Sequence, residues 1–308
     1  MKYPFTASRY GSTREIQRAH DWQRSRTLRA ARRLRNIMEN YGWGHRPKSR
    51  LTRKVLLTKI RGNLNVLHVA AAKCELCIIP KRFLNQRNLR SWSGPCGNVF
   101  HLVAATGRLC DIPPHLLTIE NMTIRNGSGE TPLHLAARAQ DVSYIPRSLL
   151  TTPLLMLVDN DGNTALHEAA KGRGLIQIPW QVQTAINFAV KNNDHENVLH
   201  FAAGSKTLKY LKQPQAVMTA NNLLARARYN DTPLETALLT GDLAEIPPSP
   251  DLVGHFKEIA AKVREGLRKH NLGPQCARHK AAKTWLAELI KFSLRLPPPQ
   301  EPSPELME

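Results

Sequence analysis

The sequence predicts an all-α protein, a solenoid of about six helix-turn-helix units with a helical cap at each end. One short motif recurs along the chain, most completely as Thr131-Pro-Leu-His-Leu-Ala-Ala137. Its histidines lie 33 residues apart, at His68, His101, His134, His167 and His200. An Asn or Thr, the residue types that cap helix N-termini, lies three residues before each histidine. A fixed period with a capped helix in every copy is typical of a repeat array.

The motif itself predicts an amphipathic inner helix. Thr131 offers a side-chain oxygen to the first turn, and Pro132 occupies the first helical position, where a missing N–H costs nothing. Leu133 and Ala137 belong to a compact apolar stripe on one face. In the last copy Glu235 takes the histidine position, 35 residues after the preceding histidine. We interpret that substitution as the mark of an end repeat, which lacks one neighbour.

The second half of each repeat is predicted to be a proline break followed by a short helical segment and a turn. The residue eight positions after the histidine is always apolar and predicted to face inward: Leu76, Leu109, Val142, Leu175 and Leu208. A proline twelve positions after it ends the helix at Pro80, Pro113, Pro146 and Pro179. In the fifth copy Lys212 holds that position and Pro214 comes two residues late. Asn, Asp and Gly then form the turn into the next copy.

The Thr-Pro-Leu-His-x-Ala-Ala motifs at this period resemble the ankyrin repeat, over roughly residues 60–250. The resemblance implies a scaffold that binds other proteins, with histidines that hydrogen-bond neighbouring turns. The second half departs from the family pattern, because Ile145-Pro146 and Leu149-Leu150-Thr151 replace the usual Gly-His pair, valine, leucine pair and Gly-Ala-Asp turn. We therefore expect a normal inner helix and an outer helix that is shortened or split.

Repeat arrays bind partners along their turns and the face of their inner helices. The predicted partner-binding residues of the inner helices are Lys73, Arg138 and Lys171. Those of the turns are Arg125, Asn126, Asp159, Asn160, Lys191 and Asn192. Their chemistry differs from copy to copy, which suits one specific protein partner of unknown identity. The alternative is that they are ordinary surface.

The net charge of +20 is concentrated at the N-terminus. Residues 1–62 hold 17 Lys and Arg against 3 Asp and Glu, while residues 63–250 and 251–308 each carry only +3. A capping pair, Ser12 and Glu15, predicts a long helix that ends near Tyr41. This arm is either an end cap with a solvated face or a surface for phosphates or an acidic partner. Its densest cluster is Arg29, Arg32, Arg33 and Arg35, which also suits a nuclear import signal.

The predicted domain bounds are therefore 1–62 for the basic arm, 63–250 for the array, 251–295 for a helical hairpin and 296–308 for a tail. Asp251 begins the first helix of the hairpin, and the second spans about Gln275 to Leu294. The hairpin either caps the last repeat or binds a partner. The Pro- and Glu-rich tail is predicted to be disordered.

A zinc site can be drawn from Cys74, Cys77, Cys96 and His101, but the repeat register argues against it. Cys77 and Cys110 occupy the same repeat position, where a cysteine acts as a small hydrophobe. The five repeat histidines are one to a copy, so they are predicted to be structural and not ligands of one metal.

No catalytic motif stands out either, since Gly172-Arg173-Gly174 lies between repeat helices and does not open a helix after a strand. The sequence thus predicts no enzyme activity, cofactor, metal or small-molecule substrate. Five cysteines in a chain whose first residues lack an apolar run predict an intracellular, cytoplasmic protein, or a nuclear one in a eukaryotic host. The longest apolar stretch, Leu149 to Val158, is too short to predict a transmembrane helix.

Overall fold

A computed structural model describes residues 52–59, 64–240 and 242–247, with single positions at 28, 29, 31, 32, 249, 252, 255 and 287. The described chain is helical, and its only β pairing is two isolated bridges, Trp92 with Asn98 and Val158 with Thr164. The predicted all-α repeat fold is confirmed. The chain divides into two compact units, residues 1–128 and 129–308.

Each repeat begins with the predicted inner helix, and we number the repeats 1 to 6 from His68 to Glu235. The six helices are Val66–Ala72, Val99–Ala105, Pro132–Ala139, Ala165–Ala170, Val198–Gly204 and Pro233–Thr240. Repeats 1 and 2 lie in the first unit and repeats 3 to 6 in the second. Within each unit, successive inner helices pack side by side.

The second half of a repeat is a split outer segment, as its proline predicted. A first 3₁₀ turn follows the inner helix at Leu76–Ile78, Leu109–Asp111, Val142–Tyr144, Arg173–Ile176, Leu208–Tyr210 and Leu243–Glu245. A second 3₁₀ turn follows the proline at Lys81–Phe83, Pro114–Leu116, Arg147–Leu149 and Trp180–Val182. One α-helical turn closes the segment at Gln86–Leu89, Ile119–Met122, Thr152–Leu155, Ala185–Ala189 and Ala220–Leu223.

Proline is the physical cause of the split. In repeats 1 to 4 it has extended backbone, with ψ between 128° and 137°, so the chain leaves the helical path there. Repeat 5 differs because its late proline, Pro214, instead opens a short helix, Pro214–Val217, at the first helical position.

A repeated apolar core lies between the inner helices and the outer segments. The residue eight positions after each histidine is buried in repeats 1 to 5, which confirms the predicted inward set. The Ala-Ala pair is buried with it at Ala136 and Ala137 and at Ala169 and Ala170. Small side chains here allow close packing, since a Cβ on Gly174 would lie 2.6 Å from the Ala137 carbonyl oxygen. Single repeats bury too little apolar surface to fold alone, so this packing stabilises the stack.

The ends of the chain are described only in part. A short helix, Arg53–Leu57, precedes repeat 1 and buries Leu56. Leu28, Arg29, Ala31 and Arg32 are helical, as predicted for the arm. The remainder of the arm, the hairpin of residues 251–295 except three positions, and the tail lie outside the described residues.

Candidate protein-binding face

The repeat histidines join each inner helix to a later turn. In repeats 1 to 5 the backbone N–H of the N-cap residue donates to the histidine Nδ1 at 3.0 to 3.3 Å. The Nε2 atom lies 2.9 to 3.4 Å from a carbonyl oxygen further along the chain. Those carbonyls belong to Ser91, Ile124, Asn163, Glu196 and Asp231. A carbonyl can only accept, so Nε2 carries the proton in repeats 3 and 4, where the side chain beside Nδ1 is a threonine hydroxyl that can donate.

Burial favours the neutral form of four of these imidazoles. Burial lowers the pKa of His68 and of His167 to about 4, and it lowers the pKa of His134 and His200 as well. A neutral ring with a protonated Nε2 leaves Nδ1 bare, as the backbone donor requires. In repeat 6 the carboxylate of Glu235 replaces Nδ1 and accepts the Thr232 N–H at 3.1 Å. The structural role predicted for the histidines therefore has a defined geometry.

The turns between repeats 3 and 6 are tied to each other. The Asn193 N–H donates to the Asp161 carbonyl at 2.9 Å, and the Arg228 N–H donates to the Asp194 carbonyl at 2.8 Å. Inside the turns, the Asp159 carboxylate accepts the N–H groups of residues 161 and 163. The Asn192 side chain does the same for residues 194 and 196.

Two of the predicted partner-binding residues are thus part of the turns themselves. Asp159 and Asn192 are each 8% exposed, and their polar atoms bond to their own turns. Asn192 also donates to the Asn163 side chain at 3.0 Å, in the turn before it. Asp and Asn are common in exposed turns, but here the two side chains point inward and bond to the backbone of their own turns.

The other predicted turn residues lie at the surface. Arg125, Asn160 and Lys191 are exposed and Asn126 is half-buried. The Lys191 ammonium donates to the Arg226 carbonyl in the next turn at 2.9 Å. Lys73 is exposed at the C-terminal end of its inner helix.

The remaining two predicted residues, Arg138 and Lys171, belong to one ion-pair network across repeats 3 and 4. Arg138 Nε lies 2.6 Å from one oxygen of Glu168, and Lys171 Nζ lies 2.7 Å from the other. Arg138 also pairs with Glu130. Burial acts to raise the pKa of the Glu168 carboxyl, but the two cations outweigh it and hold that pKa below its ordinary value.

An aromatic side chain extends this network to repeat 5. The Lys171 ammonium lies 5.0 Å from the centre of the Phe201 ring, within cation–π range. Phe201 is half-buried and meets the His167 ring edge to face at 5.4 Å. One turn on, Gly204 is exposed, and the nearest atom to a Cβ there would be Thr236 Cγ2 at 3.9 Å. We call Glu130, Arg138, Glu168, Lys171 and Phe201 the inner-face cluster.

Sequence reasoning missed three members of the inner-face cluster: Glu130, Glu168 and Phe201. A signal was present for one of them, because the residue directly after the central histidine is apolar in repeats 1, 2, 3 and 5 but is Glu168 in repeat 4. A break in an apolar column of a repeat array marks a position where the surface has its own chemistry. Glu130 has no such signal, since its pairing depends on how its turn meets the inner helix.

Buried asparagines that the sequence analysis did not single out hold the split outer segments in shape. In each of four repeats, the side-chain amide donates to the carbonyl five residues earlier at 2.7 to 2.9 Å. They are Asn88, Asn121, Asn187 and Asn222. The first three follow their histidines by 20 residues, and the fourth by 22 because its proline is also late.

The structure describes all the cysteines drawn as a zinc site but only two of the four arginines of the basic cluster. Cys74, Cys77 and Cys96 are all exposed, and no group of three or more His, Cys, Asp or Glu residues in the described part of the chain could hold a metal ion. Arg29 and Arg32 are exposed, while Arg33 and Arg35 lie outside the described residues. Among the described helices, none has the length and apolar character that crossing a membrane requires.

A comparison with known protein families agrees with the repeat geometry. A family model of ankyrin repeats matches residues 100–178 in three copies. A similar solved structure is the ankyrin repeat domain of Bcl-3, described as a unique member of the IkappaB protein family. It covers 69% of this chain and 90% of its own, at 19% identity and a TM-score of 0.44. No curated protein matches the chain. The motif, its period and the family match identify residues 100–178 as ankyrin repeats, with an Ile-Pro-x-x-Leu-Leu-Thr second half in repeats 2 and 3.

Proposed function

We propose that this chain is a non-enzymatic scaffold that binds another protein through the inner-face cluster of repeats 3 to 5. The observation that carries the proposal is the ordered arrangement of Arg138 and Lys171 around the buried Glu168 carboxylate, with the Phe201 ring beside them. Arginine and aromatic residues dominate binding energy at protein interfaces. Here their geometry is fixed before any partner arrives, which lowers the entropy cost of binding.

The exposed turn residues extend this surface in the proposal. Arg125, Asn126, Asn160 and Lys191 vary in chemistry from one turn to the next, and Lys73 adds a cation in repeat 1. Asp159 and Asn192 support the turns and are not assigned partner contacts. A protein partner suits such a surface because each repeat offers a different side chain on a common frame.

The test is affinity capture with the intact chain and a variant that blocks the face without disturbing the fold. Gly204→Arg adds a long side chain next to Phe201, where a Cβ meets nothing closer than 3.9 Å. A matched control, Ile186→Arg, adds the same side chain at an outer position that is 80% exposed. Partners that Ile186→Arg retains and Gly204→Arg loses support the proposal. Equal capture by both variants contradicts it.

A second function, binding of nucleic acid by the basic arm, is favoured by the +14 charge of residues 1–62 and by the exposure of Arg29 and Arg32. Arginines at this density neutralise phosphates and release counterions. Binding to duplex DNA should then weaken with salt, with a slope of about −0.9 per phosphate neutralised. Affinity that does not change between low and high salt contradicts this function.

A further inference from the structure

The split outer segments of repeats 1 and 2 leave a groove between them. The groove has a volume of about 690 Å³, and its walls include Ile79 and Leu84 of repeat 1 and Ile112 of repeat 2. These side chains are almost fully buried and form an apolar floor. Cys77 and Cys110 are exposed at its edge, in equivalent positions of the two repeats. A site of this size and lining suits a short apolar segment of a ligand.

The rim of the groove is positively charged. Lys81 and Arg82 are exposed on one side, and within the described part of the chain neither has an ion-pair partner. The Arg82 guanidinium lies 4.9 Å from the centre of the Phe83 ring, which positions it while its N–H groups can still reach a carboxylate.

Among the described residues that line the groove, the one carboxylate, Asp111, is already paired with a cation. Arg108 Nε and NH2 bind the two oxygens of Asp111 at 3.3 and 3.2 Å. The Asp111 side chain is only 6% exposed, so it offers little negative charge to a ligand. The cations of the rim therefore determine the sign of the ligand charge that the groove favours.

We infer that this groove binds an acidic peptide segment of a protein partner, with an apolar side chain on the floor and carboxylates at Lys81 and Arg82. The apolar floor favours a peptide over a nucleic acid strand, whose backbone presents phosphates without an apolar anchor. The groove lies on the outer segments, so this inference does not rest on the inner-face cluster.

The probe is a fluorescent hexapeptide of two leucines flanked by aspartate and glutamate, tested on the full chain at physiological salt. The charge reversal Lys81→Glu with Arg82→Glu should raise the Kd for the peptide by about tenfold or more, because it places like charges against the peptide. The matched reversal Lys54→Glu with Lys59→Glu changes the net charge equally at exposed positions outside the groove. We expect the matched control to bind the probe almost as tightly as the unaltered chain.

Alkylation of the cysteines, measured one by one, localises the probe even though the basic arm also attracts it. Bound peptide should slow the reaction of Cys77 and Cys110 but not that of Cys74 and Cys96. A probe with serine in place of both leucines should give weaker binding and less protection. Equal weakening by the two charge reversals, or unprotected groove thiols at saturation, would overturn the inference. Equal protection by an oligonucleotide of the same charge would replace the peptide with a phosphate ligand.

Discussion

The inner and outer halves of these repeats follow different rules. The inner half is constant, because every copy from repeat 1 to repeat 5 has the same capped helix and the same pair of histidine hydrogen bonds. In the outer half, the hydrogen bonds and ion pairs at one repeat position differ from copy to copy. Gln177 of repeat 4 accepts the Val142 N–H of repeat 3 at 2.7 Å and donates to the Gln140 carbonyl at 2.7 Å. Asp111, in the same position of repeat 2, pairs with Arg108 of its own repeat.

This difference shows how one fold can keep its stability and vary its surface. The buried polar groups of the inner half need fixed partners, so changes there are costly. At the outer junction Gln177 bridges repeats 3 and 4, whereas Asp111 pairs within its own repeat and lines the groove.

The largest effect that would test this comparison is a dependence of stability on pH. The folded pKa of His68 and His167 is about 4, below the ordinary value of 6.5, so the unfolded chain binds more protons between these values. The free energy of unfolding should therefore fall as the pH drops from about 6.5 towards 4, by about 1.4 kcal/mol per unit of pKa shift at each histidine. Urea unfolding across this range measures it. A flat profile would show that the inner half does not depend on neutral histidines.

A substitution in one inner half should come next in size. His167→Phe keeps a ring but removes the partners of the Thr164 N–H and the Glu196 carbonyl. Leaving buried groups unpaired should lower the free energy of unfolding by about 2–4 kcal/mol. The control Ile176→Ser, at an exposed outer position, should change it by less than about 0.5 kcal/mol. If the two variants lost similar free energies of unfolding in urea, the inner and outer halves would not differ in their tolerance of substitution.

Overpacking the inner half should have a smaller effect. Ala137 is 1% exposed, and its carbonyl lies against Gly174 of the next repeat. Ala137→Leu should destabilise the chain by about 1–3 kcal/mol, because the added methylene groups have no space between the repeats. Ile186→Leu, at an outer surface position, is the control. An unchanged midpoint of thermal unfolding for Ala137→Leu would mean that the inner halves are loosely packed.

The smallest expected losses of stability distinguish the outer junction of repeats 3 and 4, at Gln177, from that of repeats 1 and 2, at Asp111. Gln177→Ala removes the bridge to the Val142 N–H and the Gln140 carbonyl and should cost about 1 kcal/mol. Asp111→Ala breaks a pair within one repeat, whose arginine is 42% exposed, and should cost about 0.5 kcal/mol. Hydrogen exchange should speed up at residues 142 and 143 only in the first variant. Faster exchange across repeats 1 and 2 in the second would show that Asp111 also joins its neighbours.

Much of the inner half could be predicted from the sequence because its causes are local. The cap, the proline at the first helical position and the period of the histidines depend on residues within a few positions of each other. The outer half was predicted only as shortened or split, since a proline shows where a helix ends and not how the following turns pack. The prediction that Asp159 and Asn192 belong to the surface did not anticipate their bonds to their own turns.

The candidate site was harder to predict because it joins residues about 30 positions apart. Arg138 and Lys171 were identified by their place after the Ala-Ala pair. Their shared partner Glu168 was not, because a charged residue in an apolar column has a meaning only when the neighbouring helix is known. The groove in the first unit depends likewise on two outer segments that the sequence could not orient. The bounds of the basic arm, the array and the hairpin stay predictions.

Nitrogen NMR of the repeat imidazoles tests whether buried neutral histidines link each inner helix to a later turn. At about pH 5.5, where an ordinary histidine is mostly protonated, we expect neutral rings at His68 and His167, with the proton of His167 on Nε2. Titration of these two imidazoles near pH 6.5 in the folded protein, or a proton on Nδ1 of His167, would contradict that link.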